Sequence, residues 1–568
     1  MKRERQGGYS ICLTASAGVL FFLAGCGGKI DSDESAELGT TEAPLKGTPH
    51  VVSTETLAPL AGPLYTPAAG QEDLQFYATD LGVTFAHQGQ VRILFGDTFV
   101  TPQIDPFPND DTQGSIPFGQ CPAGDEVEAW VSSHPPAPGA LSWQSAGPPV
   151  TFATEPEAPN ALSFIHLFRG GVSLDMGPLH GPLAAFSDGD SNAFGLFFRF
   201  AEPECRPTAP ACDEGLSCDP GLGRCFLINT ACVVGAAPGA AGSCPAALPC
   251  FPTAQGLCRD TTSSVDDGGD EGRVRSVAAQ LEIGVADSAR PENYTTRVWN
   301  VNKFLNSTAR TVRRLSVHTP HGASSDYRPA ASANDKDAKV LIWGRPAFAG
   351  SRAQNRQAKL YFAYTDMPTI DSNGAPTWSP NYFTGVDHRG VPQFSVNQVD
   401  AVPLDLSGGA GDTDESIDVV NQLSVSWVEP LRKWVLAYGG DLDPLLFDLF
   451  NPGAVRTPDG AVQVRFADNP WGPWSPAEPL LRAGDPLDPN AAGSQYASGG
   501  ILFHPGCAGD DCVPSDQLQR GFGLGRLYAT NIVDCFTEDR KHGNVDLYFN
   551  VSTWNPYQVV LMKARLAR

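Results

Sequence analysis

Residues Asp80 to Thr98 read DLGVTFAHQGQVRILFGDT. Apolar and polar residues alternate on both sides of Gln88-Gly89, a pattern that predicts two antiparallel strands joined by a tight turn. Asp80 and Asp97 each lie eight residues from this two-residue turn, so they face each other at the open end of the hairpin. A three-residue turn with Gly89 left-handed would instead shift the pairing by one residue and set Gly96 opposite Asp80.

The two aspartates are candidate catalytic residues. Directly opposed residues of an antiparallel pair have Cβ atoms about 4.5–5.5 Å apart. Carboxylates at that spacing repel each other, which separates their pKa values as a general acid and an ionised partner require. Glycosidases use such a pair, and its spacing decides between retention and inversion. The alternative is that Asp80 and Asp97 only cap turns at strand ends, as Asp often does.

From about Gln75 onward, short alternating apolar segments separated by turn-forming clusters predict strands throughout. No long stretch has helical periodicity, so we predict an all-β fold. Propeller blades would hide the edges of so many strands, and a sandwich or barrel would do so as well. Blades of roughly 40–50 residues allow five blades with long loops or more blades with short ones. The predicted strands are 82–87, 91–95, 195–200, 339–343, 360–364, 423–427, 434–438, 462–466, 527–530, 546–551 and 558–563.

The composition agrees with a turn-rich β protein. Among 568 residues there are 59 Gly and 49 Pro but only 4 Met, and 41% of the chain is apolar, enough for a core. Lys and Arg number 39 against 63 Asp and Glu, a net charge of −24. A nucleic-acid-binding protein needs a basic face, so we expect no nucleic-acid partner. We also expect the protein to be a monomer.

The N-terminal segment has the features of a bacterial export signal. Lys2, Arg3 and Arg5 precede an apolar run over residues 11–23 that is too short for a stable membrane anchor. The ending Leu-Ala-Gly-Cys26 resembles a bacterial lipobox, which implies cleavage before Cys26 and acylation of its thiol. A plain signal peptide with an incidental Cys is the alternative.

This reading divides the chain into a signal peptide (1–25), a flexible tether (26–60) and a folded domain (61–568). The tether is rich in small and polar residues with few large apolar ones. We expect an exported protein, anchored by its lipid to the bacterial cell envelope, whose only membrane contact is that lipid.

The cysteines suggest disulfides. Fourteen are present, and twelve remain when Cys12 of the signal and Cys26 are set aside. In an exported protein an even number predicts disulfide bonds. Zinc is the alternative for the dense group, which lacks His and paired Cys-x-x-Cys spacing, so we expect a disulfide-stapled surface insertion over 205–258. Its cysteines are 205, 212, 218, 225, 232, 244, 250 and 258, and the others are 121, 507, 512 and 535.

Several segments together resemble a secreted bacterial five-bladed propeller family catalogued as a domain of unknown function. Some of its members are endo-D-arabinanases, glycoside hydrolases that act on arabinogalactan and lipoarabinomannan. The resemblance covers most of residues 60–568 outside the insertion, and its most specific elements are Phe-Gly-Asp-Thr and Trp-Asn-Pro-Tyr-Gln-Val. The matching segments are 80–99, 340–366, 423–440, 467–481, 496–505 and 545–566.

The resemblance implies a five-bladed propeller with an active site in its axial funnel and one catalytic Asp at each end of the first hairpin. Those positions match Asp80 and Asp97. Together with the lipobox, it implies a surface lipoprotein that cleaves arabinofuranosyl linkages in a D-arabinan-type polysaccharide. We assign Asp80 as the acid and Asp97 as the nucleophile or base, with exchanged roles as the alternative. A non-catalytic propeller that binds carbohydrate or protein is the alternative function.

Five further residues lie in the matching segments and could form sugar subsites, since sugars bind by aromatic stacking and polar edge contacts. The alternative is that aromatic residues beside strand ends pack between blades. These candidates are Trp343, Arg345, Tyr496, His504 and Trp554.

We predict no cofactor and no metal site. Residues 188–192 begin like a calcium loop, but Ala193 and Arg199 stand where an EF-hand has Gly and Glu. A different calcium loop there or at 412–415 is the alternative. A furanosidase with three carboxylates around the axis is a third functional reading, for which Asp188 and Glu415 would supply the extra acid.

Overall fold

The computed structural model describes a defined set of residues. The chain divides into two units, Met1–Gly47 and Thr48–Arg568, and every described strand belongs to the second. No helix in the described part is long and apolar enough to cross a membrane. The described residues are 47–61, 74, 76, 78–100, 111–116, 124–132, 150–155, 158–165, 167–168, 180–189, 191–200, 216–219, 224–227, 250–251, 257–258, 274–281, 294–300, 303–317, 337–345, 359–406, 422–439, 462–481, 527–533, 536–540, 543–553 and 557–568.

Strands dominate this part of the chain. The helices in it are α1 (Gly124–Ser132) and a 3-10 turn (Gln398–Asp400). In chain order the strands are β1 (His50–Ala61), β2 (Val83–His87), β3 (Gln90–Phe95), β4 (Asp111–Ser115), β5 (Thr151–Phe152), β6 (Thr154–Glu155), β7 (Ala158–Leu162), β8 (Phe164–Ile165), β9 (Leu167–Phe168), β10 (His180–Ser187), β11 (Ala193–Phe200), β12 (Leu216–Asp219), β13 (Arg224–Leu227), β14 (Cys250–Phe251), β15 (Leu257–Cys258), β16 (Val274–Leu281), β17 (Tyr294–Asn300), β18 (Asn306–Val312), β19 (Lys339–Arg345), β20 (Tyr361–Asp366), β21 (Thr369–Ile370), β22 (Pro376–Thr377), β23 (Asn381–Val386), β24 (Pro392–Ser395), β25 (Leu423–Val428), β26 (Lys433–Gly439), β27 (Val462–Ala467), β28 (Glu478–Leu481), β29 (Leu527–Ile532), β30 (Glu538–Asp539), β31 (Asn544–Thr553) and β32 (Gln558–Ala567).

Five sheets of four or five strands form the five blades of a propeller. They are β2-β3-β4-β5 with β8 on β4, β10-β11-β16-β17-β9, β18-β19-β20-β23-β24, β25-β26-β27-β28, and β29-β31-β32-β1 with β30 on β31. The first strands of these sheets contact one another in the order β2, β10, β18, β25, β29 and back to β2, so they form a closed inner ring. This confirms the all-β prediction and the five-bladed architecture.

Hydrophobic clusters fill all five spaces between neighbouring blades, which explains why the ring holds together. For example, the cluster between blades one and five includes Phe95 and Leu561, and Trp343 of blade three packs against Trp434 of blade four. Similar clusters lie between blades one and two, two and three, and four and five. Because blades are covered on both faces, β27 is buried along its whole length instead of alternating.

The fifth blade contains both the first and the last described strands. β1 pairs antiparallel with β32 from His50↔Ala567 to Ala61↔Val559, and so forms the outer edge of that blade. The folded part therefore begins earlier than predicted, since residues 50–60 of the expected tether form most of β1. Its polar first half faces outward at the sheet edge, which is why the sequence there resembles a tether.

The Cys-rich segment lies inside blade two. The strands on its two sides, β11 and β16, are hydrogen-bonded neighbours from Ala193↔Leu281 to Phe200↔Val274, so in chain order the segment interrupts one blade. Two small hairpins are described within it, β12-β13 and β14-β15. Their registers place Cys218 opposite Cys225 and Cys250 opposite Cys258. Disulfide bonding there stays a prediction.

Candidate active site

The first hairpin has the predicted turn and register. Gln88 and Gly89 have φ angles of 50° and 70°, and a type I′ two-residue turn requires positive φ at both of its central residues. β2 and β3 pair from Val83↔Leu94 to His87↔Gln90, which is the register set by this turn. The three-residue turn is thereby excluded.

The open end of the hairpin brings Asp80 and Asp97 to opposed positions. Beyond the β2-β3 ladder, an isolated bridge between Ala78 and Phe99 keeps the same register. Between the two, the ladder is locally distorted, because the Asp80 carbonyl oxygen accepts hydrogen bonds from the N–H groups of Gly82 (3.0 Å) and Gly96 (3.1 Å). The pair of acids therefore lies at a kink and not in regular sheet.

The kink at Leu81-Gly82 is held by the fifth blade. Both residues are left-handed, with φ of 67° and 69°, a conformation that costs energy for leucine. A side chain at residue 82 would also collide with Val559. Three polar side chains stabilise the kink: the Leu81 N–H donates to Ser552 Oγ (2.8 Å), Asn531 Nδ2 donates to the Leu81 carbonyl (3.0 Å), and Asn550 Nδ2 donates to the Gly82 carbonyl (2.7 Å).

The Asp80 carboxyl is enclosed. Its residue is 6% exposed, and Tyr528 Oη of β29 donates a hydrogen bond to Oδ2 at 2.7 Å. The other oxygen, Oδ1, is shielded from solvent and has no hydrogen-bond partner within the described residues. A methyl group at position 96 would overlap Oδ1, so only glycine fits there. Asp97 is half-buried and thus more open to solvent than Asp80.

Burial dominates the electrostatics of Asp80. It raises the pKa of the carboxyl from 3.8 to about 7, while hydrogen bonds from Tyr557 and Tyr528 lower that pKa and the charge of Asp111 raises it. Asp80 thus keeps its proton at mildly acidic pH, where an ordinary aspartate is ionised. A neutral carboxyl beside a second aspartate is the protonation state that a general acid needs.

Two tyrosines connect the acid pair to the fifth blade. Burial, and after it the charge of Asp80, raise the pKa of both Tyr528 and Tyr557 above the ordinary value, so both hydroxyls stay protonated. The charge of Asp97 acts on both tyrosines in the same direction. Both carboxyl groups therefore lie within electrostatic range of one tyrosine pair.

Tyr557 joins the two most specific sequence elements of the predicted site. It immediately precedes β32 and packs edge-on against Phe99, with ring centroids 5.6 Å apart. Phe99 follows Phe-Gly-Asp-Thr, and Tyr557 is the tyrosine of Trp-Asn-Pro-Tyr-Gln-Val. Sequence reasoning did not select Tyr557, although its motif was available as a signal.

Tyr528 and Asp111 are two further site residues that sequence reasoning missed. Tyr528 precedes a bulge in β29, where Ala529 has a φ of 51° and the pairing with β31 shifts by one residue. Such a bulge changes where nearby side chains point, and the sequence has no local sign of it. Asp111 is fully buried at the start of β4. Asp111 could have been inferred from the strand order, because the third strand of an antiparallel blade starts at the end of the blade where the second strand, and with it Asp97, finishes.

The structure does not place Trp343 or Arg345 in a sugar subsite. Both are fully buried. Trp343 donates through Nε1 to the Pro470 carbonyl (2.7 Å) and its ring lies 5.2 Å from that of Trp434. It therefore packs between blades three and four, the alternative given above. The remaining substrate candidates, Tyr496, His504 and Trp554, lie outside the described residues, as does Cys26.

Asp188 lies beside the turn of the first hairpin, at the end opposite to the acid pair. Its loop contacts the turn end, where Gln88 N–H donates to the Gly189 carbonyl (3.0 Å). Its carboxylate accepts hydrogen bonds from the N–H groups of Ser191 (2.8 Å) and Asn192 (2.9 Å), which is a loop-capping role. Asp188 is thus not a third acid of this site, and Glu415 is outside the described residues. No cluster of three His, Cys, Asp or Glu arranged for a metal occurs in the described part.

Comparisons with known proteins give no family. No protein-family model and no curated protein matches the sequence. Among solved structures, the chain is similar to a GH43_1 enzyme from Xanthomonas citri complexed with xylotriose, with 9% identity, a TM-score of 0.29 and coverage of 90% of each chain. It is also similar to a mutant Trypanosoma rangeli sialidase displaying trans-sialidase activity, with 6% identity and a TM-score of 0.28; the match covers 90% of this chain and 57% of the sialidase. At these values neither likeness supports an argument about this chain.

Proposed function

We propose that this chain is a glycoside hydrolase that cleaves arabinofuranosyl linkages in a D-arabinan-type polysaccharide. The single observation that supports hydrolysis is the contrast within the acid pair. Asp80 is enclosed, with its pKa raised to about 7 by burial, while the opposed Asp97 is half-buried. The arabinan substrate comes from the sequence resemblance alone.

In this proposal Asp80 transfers its proton to the leaving glycosidic oxygen as the bond from that oxygen to the anomeric carbon breaks. Asp97 supplies the electron pair, either by attacking the anomeric carbon or by taking a proton from an attacking water. The first route forms a glycosyl–enzyme ester, and the ionised Asp80 then takes a proton from the water that hydrolyses this ester, which restores both carboxyl groups. The second route ends with Asp80 ionised and Asp97 protonated, so Asp80 gains and Asp97 loses a proton by exchange with solvent before the next turnover.

The enclosure of Asp80 adds a requirement. Oδ1, the oxygen without a hydrogen bond in the described residues, is shielded from solvent. Substrate binding must therefore move a neighbouring group or rotate the carboxyl before the proton reaches a sugar oxygen. We further propose that Cys26 carries a lipid that anchors the propeller to the bacterial cell envelope.

The test is incubation of purified protein with D-arabinan, L-arabinan and xylan, with new reducing ends as the readout. We expect cleavage of D-arabinan, and a loss of about a hundredfold or more in Asp80→Asn and in Asp97→Asn. Asp188→Asn is the matched control, because that buried aspartate caps a loop at the other end of the hairpin.

Full activity in both variants would refute the assignment of the acid pair. Measurable affinity for the glycan without bond cleavage would favour the alternative, a propeller that only binds carbohydrate. Cleavage of xylan or L-arabinan instead of D-arabinan would keep the acid pair and change the substrate.

A further inference from the structure

The hydroxyls of Tyr528 and Tyr557 meet at Asp80 although they come from the other end of the chain. Tyr528 lies at the start of the inner strand β29 and donates to Asp80 Oδ2 at 2.7 Å. Tyr557 precedes β32 and packs on Phe99, two residues beyond Asp97, and hydrogen bonding by its hydroxyl lowers the pKa of Asp80. Both contacts cross from blade five to blade one, where the propeller ring closes.

We propose that Tyr528 and Tyr557 are positioning residues for Asp80, which orient its carboxyl and set the pH at which it releases its proton. This inference rests on the proposed function for its catalytic meaning.

The carboxyl of Asp80 is oriented through one of its two oxygens. Tyr528 stays protonated and lies 2.7 Å from Oδ2, so its hydroxyl donates to this oxygen when Asp80 is ionised. Oδ1 has no hydrogen-bond partner in the described part of the chain. The contact at Oδ2 therefore orients the carboxyl and stabilises its charged form.

Four titratable groups face Asp80 from the elements packed around it. Asp97 lies opposite on the extension of β3, and Asp111 begins β4. Tyr528 and Tyr557 approach from the fifth blade. The charge of Asp111 opposes ionisation of Asp80, whereas a hydroxyl that donates to the carboxylate favours it. Removal of either hydroxyl should therefore make Asp80 hold its proton to higher pH.

The structural support of Tyr528 is specific. The bulge at Ala529 allows Tyr528 to reach Asp80 while Asn531, two residues beyond the bulge, binds the Leu81 carbonyl at 3.0 Å. One strand of blade five thus binds both the side chain of Asp80 and the backbone of the next residue, Leu81. A phenylalanine at either tyrosine keeps the ring and its packing and removes only the donor.

The experiment is pH-difference infrared spectroscopy of the full chain in the absence of glycan. The carboxylic C=O band lost in Asp80→Asn assigns Asp80, and we expect that band to disappear with a midpoint near pH 7. In Tyr528→Phe and in Tyr557→Phe, the midpoint should move up by about one pH unit, because a hydrogen bond to the charged form is lost. In Tyr528→Phe, the band itself should move to higher wavenumber.

Tyr548→Phe is the matched control. Tyr548 is a fully buried tyrosine of the same blade that packs against Phe536, so its variant should leave the Asp80 band unchanged. Unmoved midpoints in both Phe variants, or an equal shift in the control, would overturn the inference.

Activity on D-arabinan separates this inference from the proposed function. If the wild type cleaves the glycan, the alkaline limb of its kcat/KM profile should move with the infrared midpoint in both variants. Infrared shifts in a protein that cleaves no glycan would leave the positioning role standing and reject hydrolysis. Cleavage of D-arabinan with unmoved infrared midpoints would support the proposed function and reject the positioning role.

Discussion

The pH dependence of folding stability should carry the signature of Asp80. The perturbation is Asp80→Asn, which keeps the shape of the side chain and a carbonyl oxygen that can accept from Tyr528. It removes the ionisable proton. The comparison therefore isolates the cost of placing a negative charge at this enclosed position.

The sign and size follow from the pKa. Burial raises the pKa of Asp80 from 3.8 to about 7, so the folded state holds the proton more tightly than the unfolded state. A shift of roughly three units at about 1.4 kcal/mol per unit amounts to about 4 kcal/mol. This stabilisation is complete below about pH 4, declines as pH rises and is lost above about pH 7. The Asn variant has no ionisable group at this position and therefore lacks this pH-dependent stabilisation.

The assay is urea unfolding followed by tryptophan fluorescence at several pH values between about 4 and 9, at constant ionic strength. The free energy of unfolding of the wild type relative to Asp80→Asn should fall by about 4 kcal/mol across this range. A difference between the two proteins that stays constant with pH would refute the conclusion that burial keeps Asp80 neutral.

Two further predictions concern packing and charge. Gly96→Ala should lower the free energy of unfolding by about 1–3 kcal/mol and should also lower glycan cleavage, because the new methyl group overlaps Asp80 Oδ1. Gly114→Ala is the control: its methyl group would lie 2.8 Å from Val150 Cγ1, so it should lower stability alone. Equal activity in both variants would contradict the role of Gly96. Asp546 is fully buried, and hydrogen bonds from Arg565 and Arg540 outweigh burial and hold its pKa below the ordinary value. Asp546→Asn should therefore destabilise the protein by about 3–5 kcal/mol at neutral pH. The loss should be smaller in acid, because the wild-type unfolded state binds a proton at Asp546 before the folded state does. Urea midpoints at about pH 7 and pH 3 measure this difference, and an equal loss at both would contradict it.

The first hairpin was predictable because its determinants are local. A Gln-Gly turn between alternating strands fixes the register, and the register fixes which residues are opposed. The structure has both Gln88 and Gly89 in the left-handed region and the pairing that follows from it. Asp80 and Asp97 were selected from this pattern together with the family resemblance.

The partners of Asp80 were not predictable from local sequence. Tyr528 is 448 residues away along the chain and meets Asp80 only because the ring closes between blades five and one. Its approach also depends on a bulge at Ala529 that no residue pattern marks. Interactions of this kind are set by the whole topology.

Side-chain exposure was the weakest part of the sequence reasoning. Trp343 and Arg345 stand in or at the end of a strand, where an aromatic or a cation can face either a ligand or a neighbouring blade. Packing against Trp434 decided this for Trp343. The same holds for β1, whose polar residues resemble a linker until β32 is available to pair with them.

The pH profile of glycan cleavage tests the central claim most directly, since it reports the proton that Asp80 must donate. For the wild type on D-arabinan, kcat/KM should fall tenfold per pH unit above about pH 7, where Asp80 loses that proton. A kcat/KM that stays level from about pH 6 to pH 9 would contradict the assignment of Asp80 as the acid.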